Sequence, residues 1–215
     1  MSSWQQRGDY LVEVSQRYLK GHKTFDLCRS HLVKASQISK GTVYNHFPNE
    51  ADLIVAMAID DLNHCLAQAK LDEQAYADPL NMFLFHQCRR LHDALVNQRF
   101  VIERVMPNED ILSHASEVYQ QAYQQRYDEY FAWFHHVIDK IGKIVGFNRA
   151  ELVTHYLRGA IINTDDAGKD GLDPNLYYQY CYAITQLLGH SDKRLPKLTV
   201  FKDWLSKMPQ QQSAA

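Results

Sequence analysis

The 215-residue sequence is poor in the residues that interrupt helices, with nine glycines and six prolines. No strand-like alternation of apolar and polar residues persists, and apolar residues recur instead at three- and four-residue steps. No run of about 18 apolar residues occurs, so we expect no membrane-spanning helix. The N-terminal stretch lacks a basic segment followed by an apolar one, so we expect no secretory signal and a cytoplasmic protein.

The chain also has little that points to metal or cofactor chemistry. Its four cysteines are widely spaced and form no Cys-x-x-Cys pair, which favours reduced, buried thiols. His135 and His136 are adjacent and therefore point about 100° apart on a helix, and Glu151 with His155 has no second pair. We expect no metal and no cofactor.

Residues for catalysis are equally sparse. Cys88 lies on an apolar helical stripe with His92 one turn later, a pattern more typical of a buried core thiol than of a nucleophile. The nine glycines are dispersed and form no loop that could cradle a phosphate. The sequence therefore predicts no catalytic residue.

Charge is unevenly distributed along the chain. The formal net charge is −2, yet basic residues outnumber acidic ones up to Asn49, and acidic ones prevail afterwards. A basic N-terminal segment on an acidic remainder is what a DNA-binding module attached to another domain would present.

Four helices are predicted in the N-terminal part. The first ends near Gly21, and Asp26 is positioned to cap the second. A short third helix runs from Ser39 to Phe47, where the following proline forbids continuation. Asn49 caps the fourth, which carries carboxylates in its first turn.

The remaining chain predicts five more helices and a disordered end. Asp78-Pro79 and Asp173-Pro174 have the order of a cap followed by an N1 proline, and Asn148 with Glu151 has the spacing of a capping box. The predicted segments are a helix from Asp78-Pro79, a shorter one over Phe100–Met106, a long one over Glu109–Val145, one from Asn148, one from Asp173-Pro174, and a disordered tail over 209–215.

The second and third predicted helices have the arrangement of a helix-turn-helix, in which the second helix enters the major groove. Small and polar residues at its start would let the backbone approach phosphates, and Val43 and Phe47 face inward. An asparagine can read an adenine edge, and a threonine can contact a thymine methyl. The predicted DNA-binding residues are Ser39, Lys40, Gly41, Thr42, Tyr44, Asn45 and His46.

The stretch ISKGTVYNHFPNEADLI closely resembles the signature of TetR/AcrR-type bacterial transcriptional repressors, and the resemblance is dense over about 45 N-terminal residues. It implies a DNA-binding head on a helical body that binds an effector, with the residues just named at the DNA face. The resemblance places Tyr44 and His46 where backbone phosphates are usually contacted.

Three positions depart from that family pattern. The glycine usual in the turn is Gln37, for which a left-handed conformation carries a steric cost. The position of the threonine that caps the second helix and contacts phosphate falls near Leu27 and Cys28, which leaves Asp26 to cap it. A usually basic position is Glu50, which repels phosphate.

Tyrosines are unusually frequent on the long predicted helix. A buried tyrosine hydroxyl requires a partner, so these rings are either core residues or part of an apolar cavity with a few hydroxyls. The effector-binding body of the resembled family favours the cavity. The predicted ligand-binding residues are Phe83, Gln87, Tyr123, Tyr127, Tyr130, Phe134 and Tyr156.

We therefore expect an all-α protein with three parts. Residues 1–48 form a three-helix helix-turn-helix head, 49–208 form an effector-binding and dimerisation body reached by the fourth helix, and 209–215 form the disordered tail. The expected partners are double-stranded DNA with a palindromic operator, a small apolar effector and a second copy of the chain. The two copies are expected to pair through apolar stripes on the last two predicted helices, which consist of Leu152, Tyr156, Leu157, Ala160, Ile161 and Thr164 and of Leu176, Tyr177, Tyr180, Cys181, Ile184 and Leu188. Two alternatives stay open, an all-α enzyme with a vestigial head and an architectural DNA-binding protein without an effector.

Overall fold

The computed structural model describes residues 3–99, 102–142, 146 and 148–209. Every regular element in these residues is helical, which confirms the all-α expectation, and none is long and apolar enough to cross a membrane. Short 3-10 turns lie at Ile102–Arg104 and Asp192–Arg194. The α-helices are α1 (Ser3–Tyr18), α2 (Arg29–Ser36), α3 (Lys40–His46), α4 (Glu50–Ala75), α5 (Pro79–Leu95), α6 (Glu109–His114), α7 (Glu117–Ile141), α8 (Arg149–Asp166), α9 (Pro174–Leu187) and α10 (Leu198–Ser206).

The chain divides into two compact units. Unit 1 comprises Met1–Leu66 and Arg99–Tyr130, and unit 2 comprises Ala67–Gln98 and Phe131–Ala215. Helices α4 and α7 contribute residues to both units. Neither unit ends at residue 48, and the functional boundary expected there stays a prediction.

The core of unit 1 holds the three N-terminal helices together. Leu11 of α1, Leu32 of α2 and Val43 of α3 are completely buried, and Phe47 and Leu53 join them at the ends of α3 and α4. Burying one such side chain contributes roughly 1.5–3 kcal/mol. The inward positions expected for Val43 and Phe47 are therefore confirmed.

Helices α3 and α4 begin at the caps that the sequence predicts. Ser39 Oγ accepts a hydrogen bond from the backbone N–H of Thr42. Asn49 Oδ1 accepts from Asp52 N at 2.8 Å, and Asp52 Oδ2 accepts from Asn49 N at 3.1 Å. This reciprocal pair satisfies two N–H groups that would otherwise lack partners at a helix start.

The cap predicted for the second helix is wrong. Helix α2 begins three residues later than Asp26, and the residue at its N-cap is Cys28, which makes no side-chain cap hydrogen bond. The Asp26 carboxylate instead lies 2.9 Å from Nδ1 of His22. The carboxylate that was predicted to cap the second helix therefore interacts with a nearby histidine instead.

The long helix predicted over Glu109–Val145 is also wrong as a single element, because it breaks between α6 and α7. Ala115 is extended, with ψ at 153°. Ser116 donates its backbone N–H to Asp52 Oδ1 at 2.6 Å and its hydroxyl to Oδ2 at 2.8 Å. The N–H that would continue the helix is thus bound by a buried carboxylate of α4.

Unit 2 is a helical cluster in which α9 packs against α5, α8 and α10. Asp78, Asn148 and Asp173 cap α5, α8 and α9 as predicted. Helix α10 was not predicted from the sequence, and its Phe201 and Trp204 are buried among aromatic rings.

Some predicted boundaries lie outside the described residues. They are the start of the short helix at Phe100, the end of the long helix at Val145, and positions 210–215 of the predicted tail.

Candidate nucleic-acid interface

Helices α2 and α3 are joined by a turn in which Gln37 adopts a left-handed conformation, with φ 57° and ψ 19°. A residue with a Cβ pays roughly 1–2 kcal/mol in this region. Ser36 Oγ accepts a hydrogen bond from Ile38 N, which helps hold the turn closed. The strained turn expected at Gln37 is therefore present.

The first turn of α3 faces solvent. Ser39, Lys40 and Gly41 are exposed, as is Asn45 one turn later, and Thr42 is half-buried. A Cβ added at Gly41 would meet no atom within 4 Å. Packing inside the protein therefore does not require glycine at this position. The missing side chain leaves room for another molecule to approach the backbone of α3.

Tyr44 carries two cations on its ring. The Arg29 guanidinium lies 4.4 Å and the Lys40 ammonium 5.3 Å from the ring centroid. Such contacts contribute about 0.5–1 kcal/mol at exposed sites. They place two positive charges beside the half-buried tyrosine at the exposed start of α3.

Arg29 is a residue that the sequence analysis missed, and it ties together the ends of three helices. Its backbone N–H and its Nε each donate to the Glu50 carboxylate at 3.0 Å. Its Nη1 donates to the carbonyl oxygens of Phe47, at 3.1 Å, and Pro48. Glu50 thus supplies from α4 the N-terminal acceptor that Cys28 does not provide, and its charge is paired with Arg29.

His46 differs in placement from the other candidate residues. Its side chain is buried, and its ring stacks on Trp4 with centroids 3.6 Å apart and planes 17° apart. Burial, with a smaller effect of the Arg7 charge, lowers the pKa of His46. A ring covered in this way presents little surface to a duplex, so we leave His46 out of the contact set proposed below.

The end of α3 is also held by the start of α7. Tyr119 donates its hydroxyl to the His46 carbonyl oxygen at 2.8 Å. Burial, with a smaller effect of the Asp52 charge, raises the pKa of Tyr119 to about 12. The hydroxyl therefore stays protonated and keeps donating at neutral pH.

The predicted ligand-binding residues divide between the units. Tyr123, Tyr127 and Tyr130 belong to unit 1, where the rings of Tyr123 and Tyr127 lie 5.8 Å apart. In unit 2, Phe83 meets Phe134 edge to face at 5.2 Å. No ligand role for any of these residues is tested by this placement, and all stay predictions.

Several polar groups in unit 2 are buried without a hydrogen-bond partner among the described residues, and two of them bear on the predicted ligand site. These two are the Gln87 amide, with both its oxygen and its nitrogen, and the Tyr180 hydroxyl. Tyr156 stacks on Tyr180 at 5.9 Å, and burial raises the pKa of both phenols. Tyr180 was predicted as part of a dimer stripe and was therefore not among the predicted ligand-binding residues.

The apolar stripes predicted for dimerisation pack largely into their own unit. Seven of their residues are at most 4% exposed, which makes them core residues. Other positions of the two helices are more open: Leu152, a member of the predicted stripe, is 37% exposed, and Tyr182, which is outside the stripes, is 46% exposed. The buried residues are Leu157, Ile161, Tyr177, Tyr180, Cys181, Ile184 and Leu188.

No protein-family model matches the chain, and no curated protein matches its sequence. Solved structures do match its fold. RolR in complex with the ligand resorcinol is 12% identical over 96% of each chain, with a TM-score of 0.59. RolR without ligand is 14% identical over 94% of this chain and 97% of its own, with a TM-score of 0.56.

A TetR transcriptional regulator from Rhodococcus sp. RHA1 is similar to the same degree. It is 16% identical over 86% of this chain and 97% of its own, with a TM-score of 0.55. At identities this low, structural similarity establishes a shared fold and nothing further. The chain therefore has the all-α fold of these proteins.

Proposed function

We propose that the chain is a TetR-like transcriptional repressor that binds DNA through α3 as a homodimer and releases it when a small molecule binds. The observation that carries the proposal is the exposed first turn of α3, where Gly41 leaves open space between the exposed Ser39 and Lys40 and the half-buried Thr42. Backbone N–H groups at a helix start and a nearby lysine attract phosphate.

The proposed DNA contacts have different tasks. Ser39, Lys40 and Gly41 meet phosphates, while Thr42 and Asn45 reach base edges. Tyr44 contacts phosphate through its hydroxyl, and its ring keeps Lys40 and Arg29 beside the same strand. Two copies of α3 in a dimer would read two half-sites one helical turn or more apart, which gives a palindromic operator.

Selection of bound sequences from random DNA duplexes tests this function. A palindrome with two equal half-sites is the expected result. Enrichment of sequences without any common motif would instead favour an architectural DNA-binding protein, and absence of DNA binding would refute the proposal.

Gly41→Ala separates a DNA role from a structural one. Alanine in a helix is more stable than glycine by roughly 0.5–1 kcal/mol, and the open space at Gly41 accepts its methyl group. We expect a more stable protein with weaker operator binding. Unchanged binding would show that no duplex backbone approaches this position.

The proposed effector is small, uncharged and largely apolar, with hydrogen-bonding groups at its edge. In unit 2, the buried Gln87 amide offers a donor and an acceptor, and Tyr180 offers a hydroxyl whose raised pKa keeps its proton. Phe83 lies one turn before Gln87 and supplies a ring, as does Phe134. The similar protein RolR was solved with resorcinol, a small aromatic diol, which fits this set of groups.

Resorcinol and related phenols are therefore the first probes. A buried amide without partners costs about 1–3 kcal/mol, so Gln87→Met should raise the free energy of unfolding while lowering phenol affinity. Gln179→Met changes an exposed glutamine on α9 and is the matched control. Phenols that bind Gln87→Met and the wild type equally would contradict the assignment.

For repression to be relieved, the effector must favour the state that does not bind DNA. A hundredfold preference corresponds to about 2.7 kcal/mol, within the usual range of allosteric coupling. Effectors that raise the melting temperature without changing operator affinity would refute this coupling.

The proposed dimer uses the outer sides of α8 and α9, where Leu152, Gly159 and Tyr182 are open or partly open. Tyr182→Lys should shift sedimentation towards the monomer, and Gln121→Lys on α7 is the control. Ile161→Glu is no test of the interface, because Ile161 is 2% exposed and a buried charge would destabilise the fold.

A further inference from the structure

Unit 1 contains an open cleft of about 690 Å³, and among the residues assigned a role in the proposed function only Asn45 lines it. Its walls come from the first half of α1, the end of α3, the middle of α4 and the start of α7. Small-molecule sites commonly occupy about 300–1,000 Å³. The cleft is therefore large enough for a ligand with one or two rings.

His46 lines the cleft and carries a buried polar atom without a partner. That atom has almost no exposed surface, so a ligand reaches it only when a covering side chain moves aside. Nε2 of His46 has no hydrogen-bond partner among the described residues, although only 6% of the residue is exposed. A buried polar group of this kind costs free energy until a ligand pairs with it. The lowered pKa of His46 keeps its ring neutral near pH 7, and a neutral imidazole has one acceptor nitrogen.

An aromatic ring and aliphatic side chains give the cleft flat, apolar surface. Trp4 is 48% exposed although it stacks on His46, so a large part of the indole is open for contact. Val12 and Ile59 line the cleft and are half-buried. Aromatic ligands and cations both favour such surfaces.

The charges that line the cleft have one sign. Asp9 and Asp60 are among the lining residues, and none of the described lining residues is a lysine or an arginine. Asp60 is held by Gln16 and by a long ion pair with Arg99 at 3.8 Å, while Asp9 is exposed. Arg7, whose charge acts on His46, does not line the cleft.

We propose that this cleft binds a flat aromatic cation with N–H donors. The ring lies against Trp4 and the apolar wall, one N–H donates to His46 Nε2, and the positive charge faces the carboxylate of Asp9. The site includes none of the proposed effector residues in unit 2, and Asn45 is the one proposed DNA contact among its described lining residues.

Three probes of nearly equal shape test the charge and the donor. Benzamidine is a cation with N–H donors, benzamide is neutral, and benzoate is an anion without donors. Titration followed by the indole N–H signals in NMR spectra reports on the site, because Trp4→Phe identifies the signal of Trp4 among the three tryptophans. We expect saturable shifts of the Trp4 signal with benzamidine, roughly tenfold weaker binding of benzamide, and still weaker binding of benzoate.

Two variants locate the contacts. His46→Phe keeps a ring for stacking but removes Nε2, and should weaken benzamidine binding by roughly threefold to tenfold. Asp9→Asn should weaken the binding of benzamidine but not that of benzamide. Glu13 is an exposed carboxylate one turn later on α1, and Glu13→Gln should change the binding of neither probe.

Each other outcome overturns part of the proposal. No saturable shift of Trp4 with benzamidine would remove the site. Benzoate binding as tightly as benzamidine would refute a cationic ligand, and benzamidine binding unchanged in both folded variants would refute the assigned contacts. The readout does not involve DNA, so failure of the proposed repressor function would leave this test unaffected.

Discussion

Glu50 at the start of α4 accepts two hydrogen bonds from Arg29 at the start of α2, one from the backbone N–H and one from Nε, each at 3.0 Å. The carboxylate thereby caps a helix that has no cap of its own. Because Arg29 also binds carbonyl oxygens at the end of α3, this pair fixes α3 against both neighbours.

Glu50→Ala is expected to lower the free energy of unfolding by about 1–3 kcal/mol. It removes a cap and leaves the guanidinium without its carboxylate. Urea denaturation measures the change. Glu13→Ala removes an exposed carboxylate whose ion pair with Arg17 spans 3.9 Å and should cost much less. Equal losses in the two variants would contradict the role of Glu50.

Gln37→Gly should stabilise the protein by up to about 1 kcal/mol. Glycine adopts φ 57° without the clash that glutamine has, although part of the gain is lost to the greater entropy of the unfolded chain. Gln124→Gly, in the middle of α7 and exposed, should instead destabilise by about 1 kcal/mol. A loss of stability in both variants would mean that the turn is not strained.

Substitutions on α3 should separate positioning from sequence reading, if the proposed function is right. Lys40→Ala should weaken binding to every duplex and flatten the salt dependence, because one phosphate contact is lost. Thr42→Ala, Tyr44→Ala and Asn45→Ala should each cost roughly 1–3 kcal/mol per half-site on the operator.

Fluorescence anisotropy at several salt concentrations measures these effects. Lys70→Ala, an exposed lysine on α4 in unit 2, is the control for loss of charge. Operator binding at wild-type strength in all of the α3 variants would remove the helix from the interface.

Stability should fall in mildly acidic solution because of His86. Its ring is buried in unit 2, with Nδ1 2.9 Å from Asp72. Burial lowers the pKa of His86 below its ordinary 6.5, aided by the charges of Arg90 and Arg89 and opposed by Asp72. The unfolded chain therefore takes up the proton at higher pH than the folded chain does, so the free energy of unfolding decreases as pH falls through about 6.5.

Melting temperatures between pH 8 and pH 5 check this expectation. His86→Gln should flatten the slope of melting temperature against pH. Part of the slope should remain, because the pKa of His46 is lowered as well. His135→Gln, at an exposed position of α7, should leave the slope unchanged. A slope of wild-type steepness in His86→Gln would assign the effect to other groups.

Local sequence rules were sufficient for much of the fold. The caps at Ser39, Asn49 and Asp78 were predictable because each serves N–H groups two or three residues away in the chain. The burial of Val43 and Phe47 follows from helical spacing, and the stop at Pro48 follows from proline chemistry. The exposed start of α3 could likewise be predicted from the small and polar residues of its own sequence.

Contacts between residues far apart in the chain decided the rest. Asp52 breaks the long predicted helix by binding Ser116, 64 residues later, and Glu50 caps α2 across 21 residues. Trp4 covers His46 because α1 packs beside the end of α3, and His46, a predicted DNA contact, thereby also lines a cleft. Helical periodicity reports which side of a helix is apolar, but the tertiary structure alone determines which partner satisfies a polar group.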